Sequence, residues 1–373
     1  MKQALFCTFF ALFTLLACNP KPNVSIDQPI EPLIVPILKT HPRNIILMIG
    51  DGMGLTQITA GMYRNGNKLY LEQFPIIGLH KPYSANNLIT DSAAGATAFA
   101  AGIKTNNGAI AVDRDTLAVP TILEEAELNG LATGMVTTST VVHATPAAFI
   151  AHNISRNNFE QIAADFLKTD IDLFIGGGLK YFESRKDNRN LFKELQGKGY
   201  SISSYEDESF EEVVFDADKK LAYFTADADP KTVAQGRDYL PSASRAAANF
   251  LAKRSEKGFF LMIEGAQIDW GGHNKDSDYI ISEMLDFNET IGNILQFAKE
   301  DGETLVIVTA DHETGGYSIN PGSTMEKIIP GFTSDYHTAT LIPVFAFGPG
   351  SELFGGTYEN TAIYDKMKKA FGF

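Results

Sequence analysis

Residues 90–102, TDSAAGATAFAAG, set a single serine, Ser92, between an aspartate and a run of small residues. Asp91 or Thr90 can cap a helix there, and the alanine-rich run beyond can propagate it. Ser92 then falls in a first turn, where unpaired backbone N–H groups favour an anion. Such a serine is either a neighbour of a cap or a nucleophile. The helix end stabilises a negative charge by only about 0.3–1 kcal/mol at an exposed site, too little to activate a hydroxyl, so stronger cations would be required. Residues able to hold them recur along the chain. Asp51 follows NIILMIG, Glu264 follows GFFLMI and leads to Asp269 and His273, Asp311 and His312 follow TLVIVTA, and His337 precedes IPVFAF. Mixed imidazole and carboxylate donors suit zinc, and all-oxygen sets suit magnesium. Asp269 and His273, four apart, share a face if a helical turn forms. One acid at a strand end is usually a cap or a turn residue. Three such ends, two of them with histidine, in a chain with seven histidines point instead to a metal site. His41, His80 and His152 have no acidic neighbours in a motif and read as structural or surface residues.

The scaffold that would gather these residues is legible in the apolar runs. Residues 44–49, 258–263, 304–309 and 342–347 are short, continuous and rich in branched or aromatic side chains, the pattern of strands buried on both faces. The first three end in the candidate donors, and in doubly wound sheets the carboxyl ends of strands are where ligands bind. Residues 119–129, 158–168 and 277–300 have helical spacing, and 133–138 reads as a further strand. The expectation is an α/β fold, a three-layer sandwich with a largely parallel central sheet flanked by helices, formed by one domain over residues 41–373.

The chain has 373 residues, 44% hydrophobic and 20% charged, with a net charge of −14. That acidity excludes nucleic acid as a specific partner, and an anionic substrate would need local cations to approach. Residues 1–18, MKQALFCTFFALFTLLAC, form a secretion signal too short for a permanent span, ending at Cys18 in a pattern that resembles a lipoprotein cleavage site. Residues 19–40 are proline-rich and suit a tether. The two cysteines are Cys7 and Cys18, so the domain beyond them has no disulfide. The protein is expected to be exported, periplasmic or at the cell surface, and anchored to a membrane by lipid on Cys18.

GDGMG, TDSAAGATAF, VTTSTVVHATPAAFIAHNISR, IEGAQIDWGGH, TADHETGG and YHTAT resemble, in order, the successive motifs of the bacterial alkaline phosphatase family. The resemblance spans residues 44–347 and implies hydrolysis of phosphate monoesters through a phosphoserine, with two zinc ions and one magnesium ion per chain. It assigns Ser92 as nucleophile and Arg156 as phosphate clamp. Asp51, Asp311, His312 and Ser92 would hold one zinc, and Asp269, His273 and His337 the other. Asp51, Thr145 and Glu264 would hold magnesium. His143 stands where the enterobacterial form has aspartate and Trp270 where it has lysine, a variant of the magnesium neighbourhood. Family members are commonly homodimers, which the resemblance implies here as one arrangement beside a monomer. Two competing readings are a phosphodiesterase on the same scaffold and a noncatalytic surface lipoprotein that binds phosphate or metal.

Overall fold

The computed structural model describes residues 41–373. The signal, Cys18 and the tether lie outside the described residues. The chain forms β1 (Asn44–Gly50), β2 (Ile76–Lys81), β3 (Ala132–Thr140), β4 (Leu173–Gly177), β5 (Tyr200–Ser204), β6 (Lys220–Phe224), β7 (Phe259–Gly265) and β8 (Thr304–Thr309). Four short strands follow, β9 (Glu313–Thr314), β10 (Tyr317–Ile319), β11 (Pro330–Phe332) and β12 (His337–Thr338). The last two are β13 (Ile342–Phe347) and β14 (Gly356–Glu359). Ten of them form one sheet in the order β14-β2-β13-β8-β1-β7-β3-β4-β6-β5. β13 runs antiparallel to β2 and β8, whereas the other neighbouring pairs in this sheet are parallel.

The sheet is buried on both faces, as continuous apolar strands require. Along β1, Ile45, Leu47 and Ile49 face one core and Ile46 and Met48 the other. The helices Ser92–Ala101 and Ala362–Phe371 cover the first face, and Tyr239–Arg254 and Ser277–Asp301 the second. The fold is the expected three-layer α/β architecture.

This topology places the chemistry at one edge. β1 lies between β7 and β8 with Ile49 in register with Glu264 and Thr309, so the strand ends bearing Asp51, Glu264 and Asp311 are adjacent. The Ser92–Ala101 helix reaches the same edge because every residue in it is buried and almost all are small. Gly95 shows how close it comes, since a Cβ there would stand 3.0 Å from the Asp311 Cβ. Asp91 caps the helix by accepting the Ala94 N–H at 3.0 Å. The predicted helix at 119–129 is shorter, Ile122–Leu128, because the Thr121 hydroxyl caps it by accepting the Glu124 N–H.

Candidate active site

After β1 the chain turns sharply at Gly52, whose φ is +72° and whose Cβ position would lie 2.7 Å from the Asp269 Cα. Only glycine combines that conformation with that approach. The turn holds Asp51 inward, and the Gly52 N–H donates to Asp311 Oδ1 at 3.2 Å. Asp269 and His273 share the single helical segment Gln267–His273, with His273 Nε2 3.4 Å from Asp269 Oδ2. The β9–β12 pairing puts His337 opposite Thr314, which returns His337 across a long stretch of sequence to the ends of β7 and β8.

Three donor sets result: Asp51 with Asp311 and His312, Asp269 with His273 and His337, and Asp51 with Glu264 and His143. The hydrogen bonds fix which nitrogen of two imidazoles offers a lone pair. His337 Nδ1 lies 2.8 Å from the Thr90 carbonyl and must donate to it, which leaves the Nε2 lone pair facing His273 Nε2 at 3.2 Å and Asp269 Oδ1 at 3.5 Å. Thr314 Oγ1 donates to Asp269 Oδ1, so it can only accept from His312 Nδ1 at 3.2 Å. His312 Nε2 is thereby an acceptor, 3.2 Å from Asp311 Oδ2, 3.5 Å from Asp51 Oδ1 and 3.4 Å from Ser92 Oγ. Of these neighbours only the Ser92 hydroxyl can donate to that lone pair, and toward the two buried carboxylates it needs a cation or a shared proton.

Asp51 Oδ1, Asp311 Oδ2 and Glu264 Oε1 are buried and accept no hydrogen bond from the described residues, an arrangement that costs free energy unless a cation compensates it. Burial, followed by repulsion from Asp311, Asp269 and Glu264, pushes the Asp51 carboxyl well above its ordinary range. Burial likewise raises Asp311 and Glu264 to about 7. Glu264 Oε2 is held by the hydroxyls of Thr137 and Ser139, and Thr145 Oγ1 lies 3.4 Å from Asp51 Oδ2. Such oxygen donors fit a hard divalent cation, and the two histidine-bearing sets fit a softer one.

His143, expected in the magnesium neighbourhood but not among its donors, stands at the edge of the third set. One of its ring nitrogens lies within 4.8 Å of carboxylate oxygens of Asp51 and Glu264. Its Nε2, however, faces Arg156 Nη2 at 3.3 Å, and an arginine can only donate. That makes Nδ1 a donor, so His143 borders the pocket without adding a lone pair to it. Burial, with Arg156 beside it, pushes its pKa down to about 3 and keeps it neutral. Trp270 packs edge-to-face on His143, centroids 6.1 Å apart, bracing the ring that touches the arginine. Arg156 Nη1 is fixed by Asp91 Oδ2 at 3.1 Å. The sequence reading had made Asp91 only a helix cap, but its two oxygens cap the helix and orient the guanidinium at once. Thr314 was also missed, for a hydroxyl that joins two donor sets leaves no mark in the spacing of the donors.

A nucleophile candidate at a helix start, a clamped guanidinium and three clusters able to hold a cation form one constellation. The sequence pattern of alkaline phosphatase matches residues 42–330. The chain belongs to the alkaline phosphatase family. Alkaline phosphatase 3 of Bacillus subtilis is 35% identical over 88% of each chain. Alkaline phosphatase of Escherichia coli is 32% identical over 88% of this chain and 86% of its own. The solved alkaline phosphatase from the Antarctic bacterium TAB5 is 45% identical, with a TM-score of 0.85 over 89% of this chain and 99% of that one. A TAB5 variant with one histidine changed to aspartate, 44% identical with a TM-score of 0.84 over 90% and 99% of the chains, holds magnesium in a site termed M3. This alkaline phosphatase is accordingly a metal-binding hydrolase of phosphate monoesters.

Proposed function

We propose that this phosphatase works by two successive displacements at phosphorus with Ser92 as the carrier. Ser92 Oγ forms a bond to phosphorus as the ester P–O bond breaks and the alcohol leaves. Water then cleaves the phosphoserine, releasing inorganic phosphate and restoring the hydroxyl. The observation that carries this reading is the position of Ser92, which is 2% exposed, begins its helix and stands 3.4 Å from His312 Nε2.

Two zinc ions and one magnesium ion per chain fit the donors. Asp51, Asp311, His312 and Ser92 would hold one zinc, and Asp269, His273 and His337 the other. Asp51, Thr145 and Glu264 would hold magnesium, beside His143, and magnesium is an ion that the TAB5 variant also binds. Such ions stabilise charge on both the attacking and the leaving oxygen of an in-line displacement. The protein's own groups do the rest. Arg156, held by Asp91, presents its fork to the nonbridging oxygens, a match best suited to a dianionic phosphoryl group and hence to monoesters. The Ser92 helix directs its backbone N–H groups at the same charge.

Replacing Ser92 by Ala is expected to lower kcat by roughly 10³-fold or more and to abolish the labelled phosphoprotein trapped by acid quench from radiolabelled substrate. A phosphoprotein that persists in that variant overturns the assignment. Metal analysis by mass spectrometry should return two zinc and one magnesium per chain. The N-terminal reading belongs to the same proposal: export, cleavage before Cys18 and lipid attachment there, with a single catalytic domain beyond the tether. Cys18→Ser should release the enzyme from the membrane fraction and lose label from radioactive palmitate. A homodimer is the expected assembly, to be read from sedimentation equilibrium.

A further inference from the structure

Tyr336 has no part in the chemistry described so far, yet its ring lies on the donors. It stacks on His337 with centroids 4.3 Å apart and planes 8° from parallel, and meets His273 at 6.0 Å. His337 in turn stacks on His312 at 3.4 Å. The three rings form a column that starts beside Ser92 and ends at the surface. With one face against His337, Tyr336 is still 44% exposed, so the exposure belongs to the side turned away from the donors. Its main chain is pinned on both sides, the carbonyl accepting the Gly315 N–H at 3.0 Å and the N–H donating to Ser334 Oγ at 2.9 Å. An exposed aromatic ring held this firmly loses little freedom on meeting a ligand.

Its position relative to the substrate follows from the site. Ser92 lies against the wholly buried Asp51, Asp311 and His312, so an alcohol displaced in line departs on the opposite side, toward Asp269, His273 and His337. That set is the one open to solvent, through His273, whose side chain is 34% exposed. Tyr336 stands at this opening.

We propose that Tyr336 is a leaving-group platform, and that its open face stacks on the planar ring of aryl-bearing phosphate monoesters, such as benzyl phosphates and nucleoside monophosphates. This rests on the reading of Ser92 as the nucleophile, because that reading fixes the side from which the alcohol leaves. The platform gives the site a preference among monoesters by area and planarity, not by charge. An offset ring pair contributes enough to change affinity by roughly threefold to tenfold.

The test compares benzyl phosphate with glycerol phosphate, whose leaving alcohols are both alkoxides while only one carries a ring. Tyr336→Ala and Tyr336→Leu should each lower kcat/KM for benzyl phosphate about threefold to tenfold, mainly through KM, and leave glycerol phosphate within about twofold. Tyr336→Phe should retain the preference. The inhibition constant of phenylphosphonate, which is not hydrolysed, should rise in parallel with that KM while that of methylphosphonate stays level. If both substrates lose activity by the same factor, Tyr336 only props His337 and the platform is overturned; an unchanged ratio in Tyr336→Ala overturns it as well. Failure of the underlying reading is separate, for it would appear as a wild-type enzyme that forms no phosphoserine with either substrate.

Discussion

The two histidine-bearing donor sets are built from the same residue types and behave in opposite ways. Around Asp269 two of the three groups sustain charge, while burial lowers His337. The hydrogen bond and charge of Asp269 raise His273 to about 9, and despite burial the histidines hold Asp269 below the usual carboxylate range. Around Asp51 and Asp311 the carboxyls are pushed up and His312 is pushed well down, in each case first by burial. The difference lies in water. His273 reaches solvent, so a proton shared with Asp269 can stand in for a cation, whereas Asp51, Asp311 and His312 are 0% exposed and their charge can be met only by something buried with them. The open set should therefore exchange metal readily and tolerate its loss. The closed set should do neither.

The largest effect is expected where the closed set is broken. Asp51 serves two donor sets, and Asp51→Ala should lose metal from both, with kcat/KM falling about 10³-fold and no recovery in excess zinc. His273→Gln should bind metal only about 10–100-fold more weakly, in the range of other perturbed metal sites, and recover activity as zinc is titrated in. Equal recovery of the two variants, with bound metal counted after dialysis, would dissolve the contrast.

Metal removal should expose the same asymmetry through pH. Asp311 and Glu264 have folded pKa values near 7, above the 3.8 and 4.5 of their ordinary range. Without metal, the stability linked to them is present at low pH and lost as pH rises through about 7. His273, raised to about 9, acts in the same direction at higher pH. The difference in Tm between metal-loaded and chelated protein should therefore widen by several degrees between pH 6 and pH 9. A constant difference in calorimetry would mean that the carboxylates are not what the metals compensate.

Thr314 joins the two sets, donating to Asp269 and accepting from His312. Thr314→Val removes both bonds at nearly constant volume and should weaken metal binding at both sets about 10-fold, measured by competition with a chromogenic chelator. Loss at one set alone would show that they are independent. A last effect lies outside the donor sets and concerns a buried histidine. Burial lowers His80 from 6.5 to about 4, and its Nε2 donates to the Ala310 carbonyl. The unfolded chain takes up that proton first, so the stability is full above pH 6.5 and declines toward pH 4 by about 3 kcal/mol at most. His80→Gln, which keeps a donor for Ala310, should flatten that part of the denaturant-midpoint profile. An unaltered slope would assign the acid sensitivity elsewhere.

Much of the site was legible because strands with continuous apolar runs announce where they end. Asp51, Glu264 and Asp311 follow such runs directly, and the four-residue spacing of Asp269 and His273 implied their shared helical face. What escaped the sequence has a common cause. Asp91 was read as a cap because capping is local, while its second oxygen meets Arg156 through tertiary packing. Thr314, Tyr336 and the lone-pair direction of His143 depend on neighbours far away in the chain, and no periodicity encodes them.

The sequence by itself determined the strands, the small-residue helix that bears Ser92 and the inventory of donors, because hydrophobic period, caps and glycine turns are properties of a few consecutive residues. Only the tertiary structure decided that β1 lies between β7 and β8, and that the β9–β12 pair returns His337 to Asp269. It alone also made one donor set closed and the other open. Those outcomes follow from which strands pair and which side chains are thereby cut off from water, and burial is a property of the assembled sheet and helices, not of any stretch of chain.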